Sequence, residues 1–198
     1  MLYDSAENEP PNKYAMIKQL VSKVICPESA QYQEACANVM LAYSRYDDTI
    51  EDNNEDMARV LSLIVHNCGG DEVSSFWILV SLIENYELRQ FYQEGLPGVA
   101  LYGEVLSTLL DNHLPLIGQI LKKYNITSYE FFADWIQDLL AKRIPLLLQE
   151  KFIESFLREG WPYFFRVCLT ILFTLKNEIV EKSIMKNQKQ EILNILTF

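Results

Sequence analysis

Histidine is scarce in this chain, with only His66 and His113 among 198 residues. Neither has a carboxylate or cysteine partner at ligand spacing, so metal ligation and general-base catalysis lack a candidate constellation. Glycine is equally thin, at seven residues, and no glycine-rich phosphate loop or GxSxG elbow occurs. Nucleotide-binding and hydrolase readings therefore find no support. The four cysteines, Cys26, Cys36, Cys68 and Cys168, show no CxxC spacing. They read as reduced, mostly core thiols of a cytosolic protein. Positive charge is also in deficit, and the formal net charge of −10 disfavours binding to nucleic acid or anionic lipid, whose phosphates would repel the chain. Long apolar runs are missing. The most apolar window, Val167 to Leu175, is far too short to cross a bilayer and is bracketed by Arg166 and Lys176. Asn125-Ile126-Thr127 matches a glycosylation sequon, but no secretory signal precedes it, so the match is read as chance.

What is present is hydrophobic residue in quantity, 49% of the chain, enough to bury a sizeable core. The length suits one domain or two small lobes. With seven prolines, seven glycines and little β-branched alternation, the 3.6-residue period dominates and predicts an all-α fold. Residues 1–12 read as a flexible acidic tail. Residues 13–198 read as one helical domain with possible sublobes at 13–125 and 126–198.

The spacing predicts helices over about 13–25 (Ile17, Leu20, Val21 and Val24 inward) and 30–44 (Tyr32, Cys36, Val39, Met40 and Tyr43 inward). An acidic loop follows from Tyr46 to Asp56, in which Asp52 and Glu55 resemble a capping box. The next helix turns Met57, Val60, Leu61, Ile64 and Val65 inward and stops at Gly69-Gly70. A strong helix over 71–88 carries Val73, Phe76, Trp77, Val80 and Ile83 on one stripe. Helices over 99–112 and onward to Tyr124 precede Ser128, a predicted N-cap. Two amphipathic helices split at Ile144-Pro145 come next, then a stop at Glu159-Gly160 and a long apolar helix. In this stretch Trp135, Leu139, Leu140, Pro145, Ile153, Phe156, Leu157, Phe164, Phe165 and Val167 are expected to form one buried wall. All three tryptophans are expected in the core. Lys176, Lys182, Lys186 and Lys189, interleaved with Glu178, Glu181 and Glu191, read as a solvated face. A small helix over 187–196 closes the chain as a packing lid.

The order of several segments resembles a known family. Phe76-Trp77-Ile78-Leu79-Val80, Tyr92, Gly95-Leu96-Pro97-Gly98, Leu106 to Leu110 and His113-Leu114-Pro115 resemble the middle of TBC domains, the family of Rab GTPase-activating proteins. The resemblance continues through Trp135 and Pro145 to Glu159-Gly160 and Phe165-Arg166-Val167, with Ile153 at the usual second tryptophan and Glu154 at the usual aspartate. Leu41-Ala42-Tyr43-Ser44 with Tyr46 is similar to the helix before the family's second catalytic loop. The match runs from about Ile17 to Val180, and the family's earliest helices are expected to be absent before it. The resemblance implies a TBC-like domain of about nine to ten right-angle-packed helices.

It also implies two catalytic fingers, the arginine of an IxxDxxR motif and the glutamine of a YxQ motif, which act on GTP bound to the partner. Here the first motif aligns as Ile17, Leu20, Lys23, and the second near Asp52-Asn53-Asn54, with Asn54 at or next to the glutamine position. Both tips are altered. Lysine is a point charge that cannot fork across two phosphate oxygens. Asparagine falls short of glutamine by about 1–1.5 Å, and a misplacement of about 1 Å can cost about 10²-fold in rate. The acidic loop, with Asp47, Asp48, Glu51, Asp52, Glu55 and Asp56, would also repel phosphate. The resemblance thus implies a Rab-family partner, membrane-traffic regulation through other trafficking proteins, a cytoplasmic location peripheral to membranes, and weak or absent GTPase activation. No cofactor, metal, nucleic acid or membrane insertion is expected. Two alternatives stand beside this: an active GTPase activator using Lys23 and Asn54 (or Arg45 or Arg59 in place of Lys23), and a helical scaffold that meets no GTPase.

Overall fold

The computed structural model describes residues 11–24, 27–47, 49–50, 54–184 and 187–197. Among them are eleven α-helices, two 3₁₀ turns and no strand. The helices are α1 (Pro11–Val24), α2 (Gln33–Tyr46), α3 (Glu55–Asn67), α4 (Glu72–Asn85), α5 (Pro97–His113), α6 (Pro115–Lys123), α7 (Tyr129–Gln137), α8 (Leu146–Glu159), α9 (Trp161–Thr174), α10 (Lys176–Lys182) and α11 (Gln188–Thr197). The 3₁₀ turns, Pro27–Tyr32 and Leu88–Phe91, lead into α2 and follow α4. Pro97 and Pro115 open α5 and α6, positions at which a missing N–H leaves no hydrogen bond unmade. Most of the expected acidic tail, Cys26, Asp48, Glu51, Asp52 and Lys186 lie outside the described residues.

Helices α1 to α4 pack on one another. Ile17 and Val21, then Cys36, Val39, Met40 and Tyr43, then Met57, Val60, Leu61, Ile64 and Val65 are all buried at their seams, as their spacing predicts. On α4 the stripe is rotated. Val73 and Trp77 are exposed at 61% and 57%, while Ser75, Phe76, Leu79, Leu82 and Ile83 face inward. This helix is apolar on most of its circumference, so periodicity leaves its buried side undetermined. Contact with α2 and α3 chooses that side. Trp77 accordingly lies outside the core, unlike Trp135, which is buried, and Trp161, which packs against it.

The second half differs from expectation at one point that matters. α7 stops at Gln137, and residues 138–144 form turns instead of helix. Leu139 and Leu140 both take left-handed backbone, at φ 50° and 63°, and both are fully buried. Left-handed geometry costs about 1–2 kcal/mol per residue. Burying a leucine returns about 1.5–3 kcal/mol, so packing outweighs the helical preference of this stretch. The expected wall is otherwise present. Trp135, Leu139, Leu140, Ile153, Phe156, Phe164 and Phe165 are buried, Pro145 is exposed, and Leu157 and Val167 are half-buried. Ser128 makes no side-chain cap at the start of α7. Glu130 closes that end instead, its carboxylate accepting from the Thr127 backbone N–H at 2.8 Å and hydroxyl at 3.1 Å. α11 does more than cover the surface. Its Ile192 and Leu196 are buried, and the Leu196 carbonyl accepts a hydrogen bond of 2.8 Å from the indole N–H of Trp135.

The joint between α8 and α9 is Gly160, at φ 68° and ψ −151°. Only glycine adopts this conformation without large steric cost. It brings Trp161 among Phe91, Tyr102, Phe156 and Phe164, with ring centroids 4.6–5.4 Å away. A Cβ placed on Gly160 would meet nothing closer than 3.9 Å, so the demand for glycine lies in the backbone and not in space. Gly160→Ala is therefore expected to lower stability by about 1–3 kcal/mol. Urea denaturation should show this as a lower midpoint at unchanged slope, and an unchanged midpoint would refute it.

Candidate functional site

The two residues carried over from the finger motifs lie close together. Lys23 occupies the last turn of α1 and Asn54 is the residue just before α3. Glu55 joins them, since its Oε1 lies 2.5 Å from Lys23 Nζ. Each charge suits its helix end, a cation at a C-terminus and a carboxylate at an N-terminus. The carboxyl of Glu55 is held below its usual range, mainly by the hydrogen bond from Lys23. Asn54 has a structural task. Its Oδ1 accepts the Met57 backbone N–H at 2.8 Å, which makes it the N-cap of α3. The expected capping box on Asp52 involves a residue outside the described ones, and the cap seen is Asn54.

Arg59 fastens the same corner. Its Nη2 lies 3.1 Å from Glu55 Oε2, its Nη1 donates to the Val24 carbonyl at 3.3 Å, and its Nε is 3.8 Å from Asp56. Asp56 in turn meets Lys142 Nζ at 3.2 Å, and Lys142 lies 3.7 Å from Asp138. A chain of alternating charge thus runs Lys23, Glu55, Arg59, Asp56, Lys142, Asp138, from the end of α1 to the turn after α7. Arg45, in the last turn of α2, also has partners. The acidic loop is less bare than a count of carboxylates implies. Asp47 Oδ2 receives Arg89 Nη1 at 2.6 Å and the Tyr43 hydroxyl at 2.8 Å, and Asp47 Oδ1 receives the Thr49 N–H and hydroxyl. Burial pushes the Asp47 carboxyl up, but the hydrogen bonds from Thr49, Tyr43 and Arg89 outweigh it and hold the group well below the carboxylate range.

The remaining polar candidates have structural surroundings. His66 stands edge-on to Tyr32, 5.2 Å between ring centres, and His113 is exposed at the end of α5. Burial pushes the Cys36 thiol up to about 12 and that of Cys168 well above its ordinary value. Among the described residues no group of three His, Cys, Asp or Glu side chains could hold a metal ion, and no helix is long and apolar enough to cross a membrane. Two of the lysines read as a solvated face instead tie elements together. Lys182 pairs with Glu191 at 3.1 Å, and Lys189 with Glu130 at 2.7 Å. The roles of Arg59 and Lys142 were not read from the sequence. The i,i+4 spacing of Glu55 and Arg59 was a usable signal, whereas the pairing of Asp56 with Lys142 depends on a contact across 86 residues.

The fold defines the class first. The flagellar RabGAP TBC domain of Chlamydomonas superposes with a TM-score of 0.71 at 18% identity, covering 98% of this chain and 69% of that one. The architecture is thus that of a TBC domain. The profile of the Rab-GTPase-TBC domain family matches residues 10–180, and the chain belongs to that family. Curated relatives include the GTPase-activating protein GYP5 of Saccharomyces cerevisiae, 27% identical over 82% of this chain and 17% of its own length. The Rab GTPase-activating protein tbc-11 of Caenorhabditis elegans is 24% identical over 75% and 16%, and the human ecotropic viral integration site 5 protein homolog 23% over 75% and 18%. The chain therefore spans less than a fifth of the length of these relatives.

Asp138 offers a test of the charge chain. Burial, moderated by Lys142 and reinforced by Asp56, pushes its carboxyl up to about 7. An unfolded aspartate titrates near 4, so between about pH 4 and 7 the folded chain binds more protons than the unfolded one. The stability this group contributes is greatest below pH 4 and falls as pH rises toward 7. Asp138→Asn is expected to raise the melting temperature at pH 8, with the gain shrinking as pH falls and vanishing below about pH 4. Equal loss at both pH values in a thermal melt would contradict the assignment.

Proposed function

We propose that this chain engages a small GTPase of the Rab family, and so acts on membrane traffic through a peripheral, cytoplasmic association with its partners, while accelerating GTP hydrolysis weakly or not at all. Family membership supports the choice of partner. One observation carries the second half of the proposal: both finger positions already serve the fold. Lys23 is drawn onto Glu55, and the oxygen of Asn54 is occupied by the Met57 N–H. Among the described residues of this corner, both cations face Glu55 and the Asn54 side-chain oxygen faces the Met57 N–H. Arg59, the nearby guanidinium, gives Nη2 to Glu55 and Nη1 to the Val24 carbonyl, while its buried Nε, 3.8 Å from Asp56, makes no hydrogen bond. A phosphate arriving here would have to displace Glu55 from two cations.

A second reading keeps activity, with Lys23 as the finger and Asn54 beside it. It is favoured by the 68% exposure of the Lys23 side chain. An exposed ion pair is worth only about 0–1 kcal/mol, so the ammonium could leave Glu55 for a phosphate. Single-turnover GTP hydrolysis by a panel of Rab proteins separates the two. On the first reading the chain is retained by a Rab in a nucleotide-dependent pull-down, and Lys23→Ala leaves turnover unchanged. Asn54→Ala also leaves turnover unchanged but lowers stability by about 1 kcal/mol through loss of the cap. Acceleration comparable with an intact family member, abolished by Lys23→Ala, would establish the second reading. Failure to bind any Rab in either nucleotide state would remove both in favour of a scaffold.

A further inference from the structure

Away from the finger corner, α7, α9, α10, α11 and the turn after α7 enclose a cavity of about 670 Å³ that opens to solvent. This lies within the range of small-molecule sites, about 300–1,000 Å³. Trp135, Ile171, Leu175 and Ile195 supply apolar wall. Five charged side chains line the same space, and three of them are already matched. Lys182 pairs with Glu191, and Lys142 with Asp56 and Asp138.

The other two are Arg143 and Glu178, which make no ion pair among the described residues, either with each other or with a third group. The Arg143 guanidinium carbon lies 5.8 Å from the centre of the Trp135 ring, and its Nη1 is buried without a hydrogen-bond partner. Burial draws its pKa below the usual guanidinium value, against the pull of Asp138 and Asp134. Glu178 sits in the first turn of α10, exposed. The cavity thus presents, beside an apolar wall, two charges of opposite sign that make no direct ion pair among the described residues.

A simple anion would answer Arg143 but meet the charge of Glu178. A simple cation would answer Glu178 and meet Arg143, Lys142 and Lys182. One kind of small molecule answers both. We propose that this cavity binds a small zwitterion with an apolar side chain, of free amino-acid to dipeptide size. Its carboxylate lies on the Arg143 guanidinium, whose planar fork suits two carboxylate oxygens. Its ammonium lies at Glu178, and its side chain rests on the partly exposed Ile171, Leu175 and Ile195. This site is independent of whether the chain meets a GTPase.

The test is a titration of the isotope-labelled full chain with L-phenylalanine and with the dipeptide Leu-Phe, followed by NMR. The indole N–H of Trp135 is the reporter. Saturable shifts at millimolar concentration or below are expected. 3-Phenylpropionate, which lacks the ammonium, and phenethylamine, which lacks the carboxylate, should each bind about tenfold more weakly. Glu178→Gln should weaken the zwitterion and tighten 3-phenylpropionate, and Arg143→Gln should weaken the zwitterion and tighten phenethylamine. Glu178 is an exposed surface position, so its variant keeps the test decisive if Arg143→Gln disturbs the fold. Absence of saturable shifts with every probe, or zwitterion affinity unmoved by Glu178→Gln, overturns the proposal.

Discussion

The reversal at Gly160 is the constraint on which the rest of the second half depends. One residue in a conformation open to glycine turns α8 directly into α9 and sets Trp161 at the hub of the aromatic cluster. The Trp161 indole N–H then reaches the Tyr86 carbonyl at 3.1 Å, and the Tyr86 hydroxyl reaches the Leu157 carbonyl at 2.5 Å. These bonds anchor the end of α4 to the α8–α9 pair. α8 in turn packs on α3, where the Asn67 amide donates to the Glu150 carbonyl at 3.1 Å. The four-helix group that carries Lys23 and Asn54 is thereby held to the half that carries Asp138 and the cavity. Directional bonds from two half-buried rings do this where apolar contact alone would leave the orientation loose.

Electrostatics repeats the connection in another form. The run of charges from Lys23 to Asp138 starts exposed and ends at a fully buried carboxyl. At the exposed end the pairs contribute little free energy and mainly fix which groups face each other. At the buried end Asp138 costs stability when ionised, and Lys142 offsets only part of that. The proposed weakening of GTPase activation is therefore not a simple loss of side chains. Lys23 ties α1 to α3 through Glu55 and Asn54 caps α3, while Asp56 and Lys142 carry the connection on to the turn after α7.

Much of the fold was legible in the sequence because helices announce themselves by period. Ile17 and Val21, Cys36 through Tyr43, and Met57 through Val65 are buried as their spacing implies. So is the order of landmarks from Phe76 to Val167 that resembles the TBC family, to which the chain does belong. The candidate site was legible only as positions. Lys23 and Asn54 could be named from motif alignment, but their occupation by Glu55 and by the Met57 N–H could not, since that depends on where α1 ends relative to α3. Arg143 and Glu178 carried no local signal at all, being 35 residues apart in sequence.

Sequence by itself determined the class of structure, most of its helices and the family, because those follow from local periodicity, helix-breaking prolines and glycines, and the order of many weakly specific residues. The separate α10 brings the described helices to eleven where nine to ten were expected. Tertiary structure decided which side of α4 is buried and that 138–144 is turn. In both places the local preference is nearly neutral or opposed, and burial against distant helices supplies the larger free energy. It also decided which charges are matched and which are not, since a salt bridge between residues far apart in the chain exists only once packing has brought them within about 4 Å.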